Sequence, residues 1–147
     1  MSLRLLLPAT RMSPAAAREA VRSELRGRLD DAALNDVVLL VDEIVGNSVR
    51  HAGLSPDARI ELRLHLHGAR LRVEVADGGS GFEPVVREPA LDATRGRGLF
   101  LVDRVADRWG VEAGGRTVVW FEMDAPPEAI TGGGEPVETV RRDGSAQ

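Results

Sequence analysis

Asp77-Gly-Gly-Ser-Gly-Phe82 is the stretch that decides how this chain is read. An acid closes a strand and runs straight into a glycine-rich turn. A second glycine turn, Gly96-Arg-Gly-Leu99, opens a predicted helix downstream. Upstream, Glu43 and Asn47 stand four apart on another predicted helix. Each element alone is common in loops and helix surfaces. A carboxylate–amide pair, an acid at a strand end and two glycine turns, in that order, point to a nucleotide site.

Strand parity puts residues 71, 73, 75 and 77 on one face, the apolar face expected to lie under helices, so the Asp77 carboxylate falls at the edge of the core. A buried carboxylate needs donors or it neutralises. An adenine amino group is one such donor, and the backbone N–H groups of the following turn are another. Gly79 and Gly81 allow positive φ and a close approach of backbone to a ligand, although D-x-G-x-G is also an ordinary loop. Gly96, Arg97 and Gly98 precede a helix read from Leu99. Free N–H groups and the positive dipole end there suit phosphate, and a plain loop-to-helix junction looks the same. Glu43 and Asn47 are neighbours on one helix face. They suit a base and a magnesium ligand, because Mg²⁺ in phosphoryl-transfer sites takes one or two protein oxygens beside phosphates and water. A solvated helix face is the alternative. Thr117 shares parity with Val119 and Phe121, and reads either as packing or as a partner of Asp77 and the base it holds.

Further out, Leu3–Pro8 reads as a short strand. Ser13-Pro14 reads as a helix start, with a capping hydroxyl and Pro at the first helical position, and that helix runs to about Leu29. Asp30-Asp31 offers the next N-cap, for a helix to about His51 with an apolar stripe through Leu34, Val37, Val38, Val41, Ile44, Val45 and Val49. Glu43, Asn47 and Arg50 fall on the other face. Two alternating strands follow, joined by Gly68-Ala69. A two-residue turn with Gly first pairs Leu66 with Leu71, Leu64 with Val73, Leu62 with Val75 and Arg63 with Glu74. Leu99–Asp107 reads as a helix, and Arg108–Ala113 and Arg116–Met123 read as a closing hairpin around Gly114-Gly115. That turn pairs Trp109 with Trp120 and Val111 with Val118, leaving an uncovered Trp/Val face as a candidate dimer surface.

Composition narrows the function. The chain has 147 residues, enough for one domain with a tail, and 43% of them are apolar. A net charge of −4 argues against non-specific nucleic-acid binding. All 19 basic residues are Arg, which excludes the Lys-dependent P-loop. The absence of Cys excludes disulfides, thiolate metal sites and a Cys nucleophile. His65 and His67 share a strand face but lack a third ligand nearby. No apolar run is long enough for a membrane span, and Leu3–Leu7 is too short for a signal segment. A cytoplasmic protein is expected. Pro126-Pro127 and Gly132–Gly134 mark residues 125–147 as a tail expected to be disordered.

Four ordered motifs carry a resemblance. They are Asp42-Glu-Ile-Val-Gly-Asn-Ser-Val-Arg-His-Ala52, Val75-Ala-Asp-Gly-Gly-Ser-Gly-Phe82, Gly96-Arg-Gly-Leu-Phe-Leu-Val-Asp103 with Asp107-Arg-Trp-Gly110, and Gly115-Arg-Thr-Val-Val-Trp-Phe121. Over roughly residues 5–123 the chain resembles the ATPase domain shared by gyrase, a heat-shock chaperone, histidine kinases and the mismatch-repair ATPase. More narrowly, it is similar to the free-standing bacterial anti-sigma serine kinases. The resemblance implies that Asp77 holds the adenine amino group, with Thr117 supporting through water. Gly79 and Gly81 would line the base and ribose, and Gly96, Gly98 and the amides from Leu99 on would cover phosphates. Asn47 would ligate Mg²⁺, and Glu43 would act as general base or orient a substrate hydroxyl. Arg97 and Arg95 would neutralise phosphate charge. Gly46 departs from the family pattern, standing where a small hydroxyl residue is common, at a cost of about 1 kcal/mol relative to Ala in a helix. No phosphoacceptor-histidine hairpin is seen before the motifs, so a complete sensor kinase is not expected.

The resulting expectation is an α/β two-layer sandwich over residues 1–124, with a mixed, mostly antiparallel sheet and helices on one face (a Bergerat-type ATP-binding fold). Its expected activity is that of an ATP- and Mg²⁺-dependent serine/threonine protein kinase that phosphorylates an anti-anti-sigma protein and binds a sigma factor, as a homodimer, with neither nucleic acid nor membrane as a direct partner. A non-catalytic ATP-binding regulatory module is the second reading, and an interaction protein whose glycines are only turns is the third.

Overall fold

A computed structural model of the chain describes residues 1–51, 58–77 and 97–125. In chain order the elements are β1 (Ser2–Pro8), α1 (Ser13–Leu25), α2 (Asp31–His51), β2 (Arg59–His67), β3 (Arg70–Asp77), α3 (Arg97–Val105), β4 (Arg108–Ala113) and β5 (Thr117–Asp124). The strands form one sheet in the order β1-β2-β3-β5-β4. Every pairing is antiparallel, so the sheet is wholly antiparallel where the sequence allowed a mixed one. Among the described residues no helix is long and apolar enough to cross a membrane.

The β2–β3 hairpin sets the frame. Gly68 has φ +62°, the left-handed value its turn position requires. The register is the one the alternation dictates: Leu66 opposite Leu71, Leu64 opposite Val73, Leu62 opposite Val75. These residues, with Ile60, Val119 and Phe121, are buried on one face of the sheet. The same core holds Ala17, Val21 and Leu25, spaced by four along α1, and Val37, Val41, Ile44 and Val45 of α2. α2 lies centrally, packed against α1, β3 and α3. Its start is fixed by Asp30, whose Oδ1 accepts the Ala33 N–H at 2.8 Å.

Three local expectations change. The first helix ends at Leu25 rather than near Leu29, because Arg26 turns extended and Gly27 takes φ +82°. Leu29, beyond that turn, still plugs the core. Ser13 does not cap α1. Its hydroxyl donates to the Pro8 carbonyl and ties the end of β1 to the helix.

The closing hairpin differs most. Ala113 pairs with Thr117, so the connection has three residues instead of two. Trp109 therefore faces Phe121 and Val111 faces Val119, and both pack on the core. Trp120 lies opposite Gly110. Of the expected Trp/Val face, Val118 and Trp120 stay on the outer side, while Trp109 and Val111 turn to the core. The outer face carries Glu61, Arg63, Arg72, Glu74, Trp120 and Glu122, most of them in ion pairs. At the C-terminal end, Ala125 is buried and its N–H donates to the Ala69 carbonyl at 2.7 Å. The tail expectation beyond it lies outside the described residues.

Candidate functional site

Asp77 ends β3 on the core side and is 3% exposed, as parity predicted. Its register partners are Ile60 on β2 and Thr117 on β5. Antiparallel pairing makes the last residue of β3 meet the first residue of β5, although forty positions separate them in the chain. Thr117 is 2% exposed, and its Oγ1 has no hydrogen-bond partner among the described residues. A hydroxyl buried without a partner costs about 1–3 kcal/mol. A water or ligand group beside Asp77 and Thr117 would remove that cost, so the pair fits a base held partly through water.

Glu43 and Asn47 lie one turn apart on α2, at 8% and 6% exposure. The solvated-face reading therefore fails. The pair sits opposite the apolar stripe, but α2 is contacted on several sides, and this end of the helix is buried from Glu43 through Ser48. A buried carboxylate beside a buried amide oxygen matches the donor set of a magnesium-assisted phosphoryl-transfer site, in which phosphates and water supply the remaining ligands. No group of three or more His, Asp or Glu that could hold a metal on its own occurs among the described residues.

Asn47 has a partner that the sequence reading passed over. Arg50 Nη2 donates to Asn47 Oδ1 at 2.9 Å. Gly46 makes room for it: a Cβ at that position would stand 3.2 Å from Arg50 Nη1. The departure from family pattern at Gly46 thus has a packing counterpart. The spacing of Asn47 and Arg50 is a legible signal, since residues three apart meet on a helix.

Leu99 is buried at 4% and, with Val102, anchors α3 in the core. The helix starts at Arg97. Gly98 lies in its first turn, and the side-chain surroundings of both residues are not described. Gly79, Gly81, Arg95 and Gly96 lie outside the described residues. Asp77 and Thr117 are thus brought side by side, Glu43 and Asn47 lie on the helix that packs over β3, and Leu99 lies on the helix that packs against α2 in turn.

Behind the Asp77–Thr117 edge, on the outer face, lies a charge cluster that the sequence did not reveal. Glu61 is 5% exposed and accepts hydrogen bonds from Arg116 at 3.0 Å, from Arg63 at 3.1 Å and from Arg4. Burial acts to raise its pKa, and the three guanidiniums outweigh that effect and bring it to about 2. Arg116 directly precedes Thr117, so this cluster staples the β4–β5 connection to β2. Arg63 stays opposite Glu74 in register, yet its guanidinium turns to Glu61, while Glu74 accepts from Arg72 at 2.7 Å. A separate apolar cavity of about 250 Å³, lined by Leu29, Val37, Leu71 and Met123, lies at the other end of β3 and contains none of the predicted site residues.

The chain belongs to the family described as histidine kinase-like ATPase domain, which it matches over residues 7–123. That span includes every predicted site residue. Among solved structures it is similar to the histidine kinase domain of the blue-light activated histidine kinase from Erythrobacter litoralis EL346, with a TM-score of 0.51 and 22% identity. The match covers 79% of this chain and 64% of that one, so this chain spans less than two thirds of the domain it resembles. At that identity the likeness concerns the fold. Comparison with curated proteins gives no match.

Proposed function

We propose that this protein is a cytoplasmic ATP- and Mg²⁺-dependent serine/threonine protein kinase, an anti-sigma regulator that phosphorylates an anti-anti-sigma partner and binds a sigma factor. The observation that carries the reading is Glu43, a buried carboxylate one helical turn from the buried amide of Asn47. Asp77 accepts from the adenine amino group, and the Thr117 hydroxyl completes the water-mediated contact beside it. Gly79 and Gly81 border the base and ribose. Gly96, Arg97, Gly98 and the Leu99 amide receive the phosphates at the start of α3. Asn47 Oδ1 supplies the protein ligand for Mg²⁺, which when bound neutralises phosphate charge. Glu43 orients the substrate hydroxyl and takes its proton as the hydroxyl oxygen bonds to the γ-phosphorus and ADP departs with the cleaved bond's electrons. Such transfer relies on positioning and electrostatics more than on covalent chemistry. Self-association as a homodimer belongs to the same reading, through an outer sheet face on which Val118 and Trp120 lie among charged side chains.

One observation favours a second reading, a regulatory module that binds ATP and signals through protein contacts alone: Asn47 Oδ1 is already engaged by Arg50. Calorimetric titration with ATP and Mg²⁺ and a phosphotransfer assay on a cognate partner separate the two. The kinase reading expects Asp77→Asn to abolish binding, and Glu43→Ala to keep binding while phosphotransfer falls at least a hundredfold, on the order of one general-base contribution. Phosphotransfer that survives Glu43→Ala would remove Glu43 from its role. Binding by the native chain without transfer to any cognate partner would establish the module.

A further inference from the structure

Asn47 Oδ1 and Arg50 form a contact that the proposed chemistry does not use. The guanidinium folds back one turn, lies over the bare backbone of Gly46, and donates from Nη2 to the amide oxygen at 2.9 Å. A guanidinium and a magnesium ion are both cations that seek the same oxygen. An amide oxygen has two lone pairs, but a fixed positive charge on one of them lowers its attraction for a divalent ion on the other. Asn47 is 6% exposed, whereas Arg50 is exposed, so the oxygen is buried while its present partner belongs to a residue open to solvent. No acidic partner competes for Arg50 in any described ion pair, and its recorded side-chain bond is the one to Asn47.

We propose that Arg50 is a positioning residue that occupies the Asn47 oxygen as a resident cation and must yield it to Mg²⁺, so that Arg50 sets the magnesium requirement of nucleotide binding. Gly46 is part of the device, because a Cβ there would stand 3.2 Å from Arg50 Nη1. The inference rests on the reading of Asn47 as the metal ligand. It adds a residue which acts through Asn47 and opposes the metal.

The test measures binding of a non-hydrolysable ATP analogue to the full chain by calorimetry, in EDTA and over a magnesium series. The quantity read is the ratio of affinity with Mg²⁺ to affinity in EDTA, compared in the native and Asn47→Ala backgrounds, because a direct effect of Arg50 on the phosphates would persist without Asn47. Arg50→Gln raises this ratio about fivefold, the size expected for releasing one exposed cation from its partner. Gly46→Ala raises it in the same direction by less, since a methyl at 3.2 Å crowds the guanidinium by only a few tenths of an ångström. This variant also replaces Gly by a better helix former, so its folding is not at risk. In an Asn47→Ala background the Arg50→Gln effect disappears. An unchanged or lowered ratio in Arg50→Gln, with Mg²⁺ coupling intact in the native chain and lost in Asn47→Ala, overturns the inference and leaves Asn47 as ligand. Mg²⁺ coupling that is absent from the native chain, or survives Asn47→Ala, overturns the metal-ligand reading and this inference with it.

Discussion

Replacing Glu61 by Gln should cost the domain stability at neutral pH and almost none in acid. Glu61 is buried on the outer face, where its side chain is 6% exposed and three arginines converge on it. Burial raises its pKa, but hydrogen bonds from Arg116, Arg4 and Arg63 more than reverse this, taking it from an ordinary 4.5 to about 2. Linkage converts that displacement into about 3 kcal/mol in the limit of no screening. The arginines are 63%, 44% and 49% exposed, so solvent and salt reduce the value to about 1–2 kcal/mol. The folded pKa lies below the unfolded one. The contribution is therefore fully present above about pH 4.5 and is lost as the pH falls through about 2.

Urea unfolding of native chain and Glu61→Gln across this window is the assay. Near pH 7 the two curves should differ by about 1–2 kcal/mol. Towards pH 2 the native carboxyl becomes protonated, resembles the amide, and the curves should converge. Glu122 is also held below the usual carboxylate range, by Arg108 and Arg72, but both proteins share that acid-sensitive group and it cancels in the difference. A gap that stays constant from neutral pH to pH 2 would refute the reasoning, because it would make the loss one of shape and not of charge.

Two further perturbations test the packing. Gly110→Ala would place a Cβ 2.8–2.9 Å from the Trp120 indole, forcing the ring away and disturbing the Arg72 guanidinium stacked 4.3 Å from its centroid. A loss of about 1–2 kcal/mol and a changed Trp fluorescence spectrum are expected, the half-exposed ring limiting the cost, and an unaltered spectrum would contradict the contact. Asp30→Ala removes the cap on the Ala33 N–H and should cost about 1 kcal/mol in thermal or chemical unfolding, where no change would mean that α2 starts without it.

Why one hairpin was legible and the other was not follows from their faces. In β2 and β3 apolar residues alternate with charged ones, so a slip of one residue would bury Arg63 and His65 and expose Leu62 and Leu64. Gly68-Ala69 then permits a single register. In β4 and β5 both faces carry apolar residues, so alternation penalises a slip weakly, and Gly114-Gly115 serves a two-residue or a three-residue connection equally well. Gly110 was the missed signal: only in the observed register does the Trp120 indole find a position opposite with no side chain. Glu61 reads as a solvated residue from its strand alone, because its burial comes from side chains on β1, on β2 and after β4, which local pattern does not encode. Likewise Glu43 and Asn47 fall opposite the apolar stripe of α2 by helical periodicity alone. Their burial depends on contacts made by the rest of the fold, which helical periodicity does not register.

Thr117 offers the sharpest argument that this edge of the sheet is made for something other than its own stability. It sits in line with Val119 and Phe121, where a valine would have the same shape and leave no polar atom unpaired. The hydroxyl is buried beside Asp77 without a partner among the described residues. If the group exists to meet a ligand or its water, Thr117→Val should stabilise the nucleotide-free domain by about 1 kcal/mol and weaken adenine-nucleotide binding about tenfold. The two effects have opposite signs, which a merely structural threonine would not produce. Unfolding of the empty protein and calorimetric titration with ATP measure them separately. A variant that loses stability together with affinity would show that the hydroxyl serves the fold, and would remove Thr117 from the nucleotide site while leaving Asp77 in place.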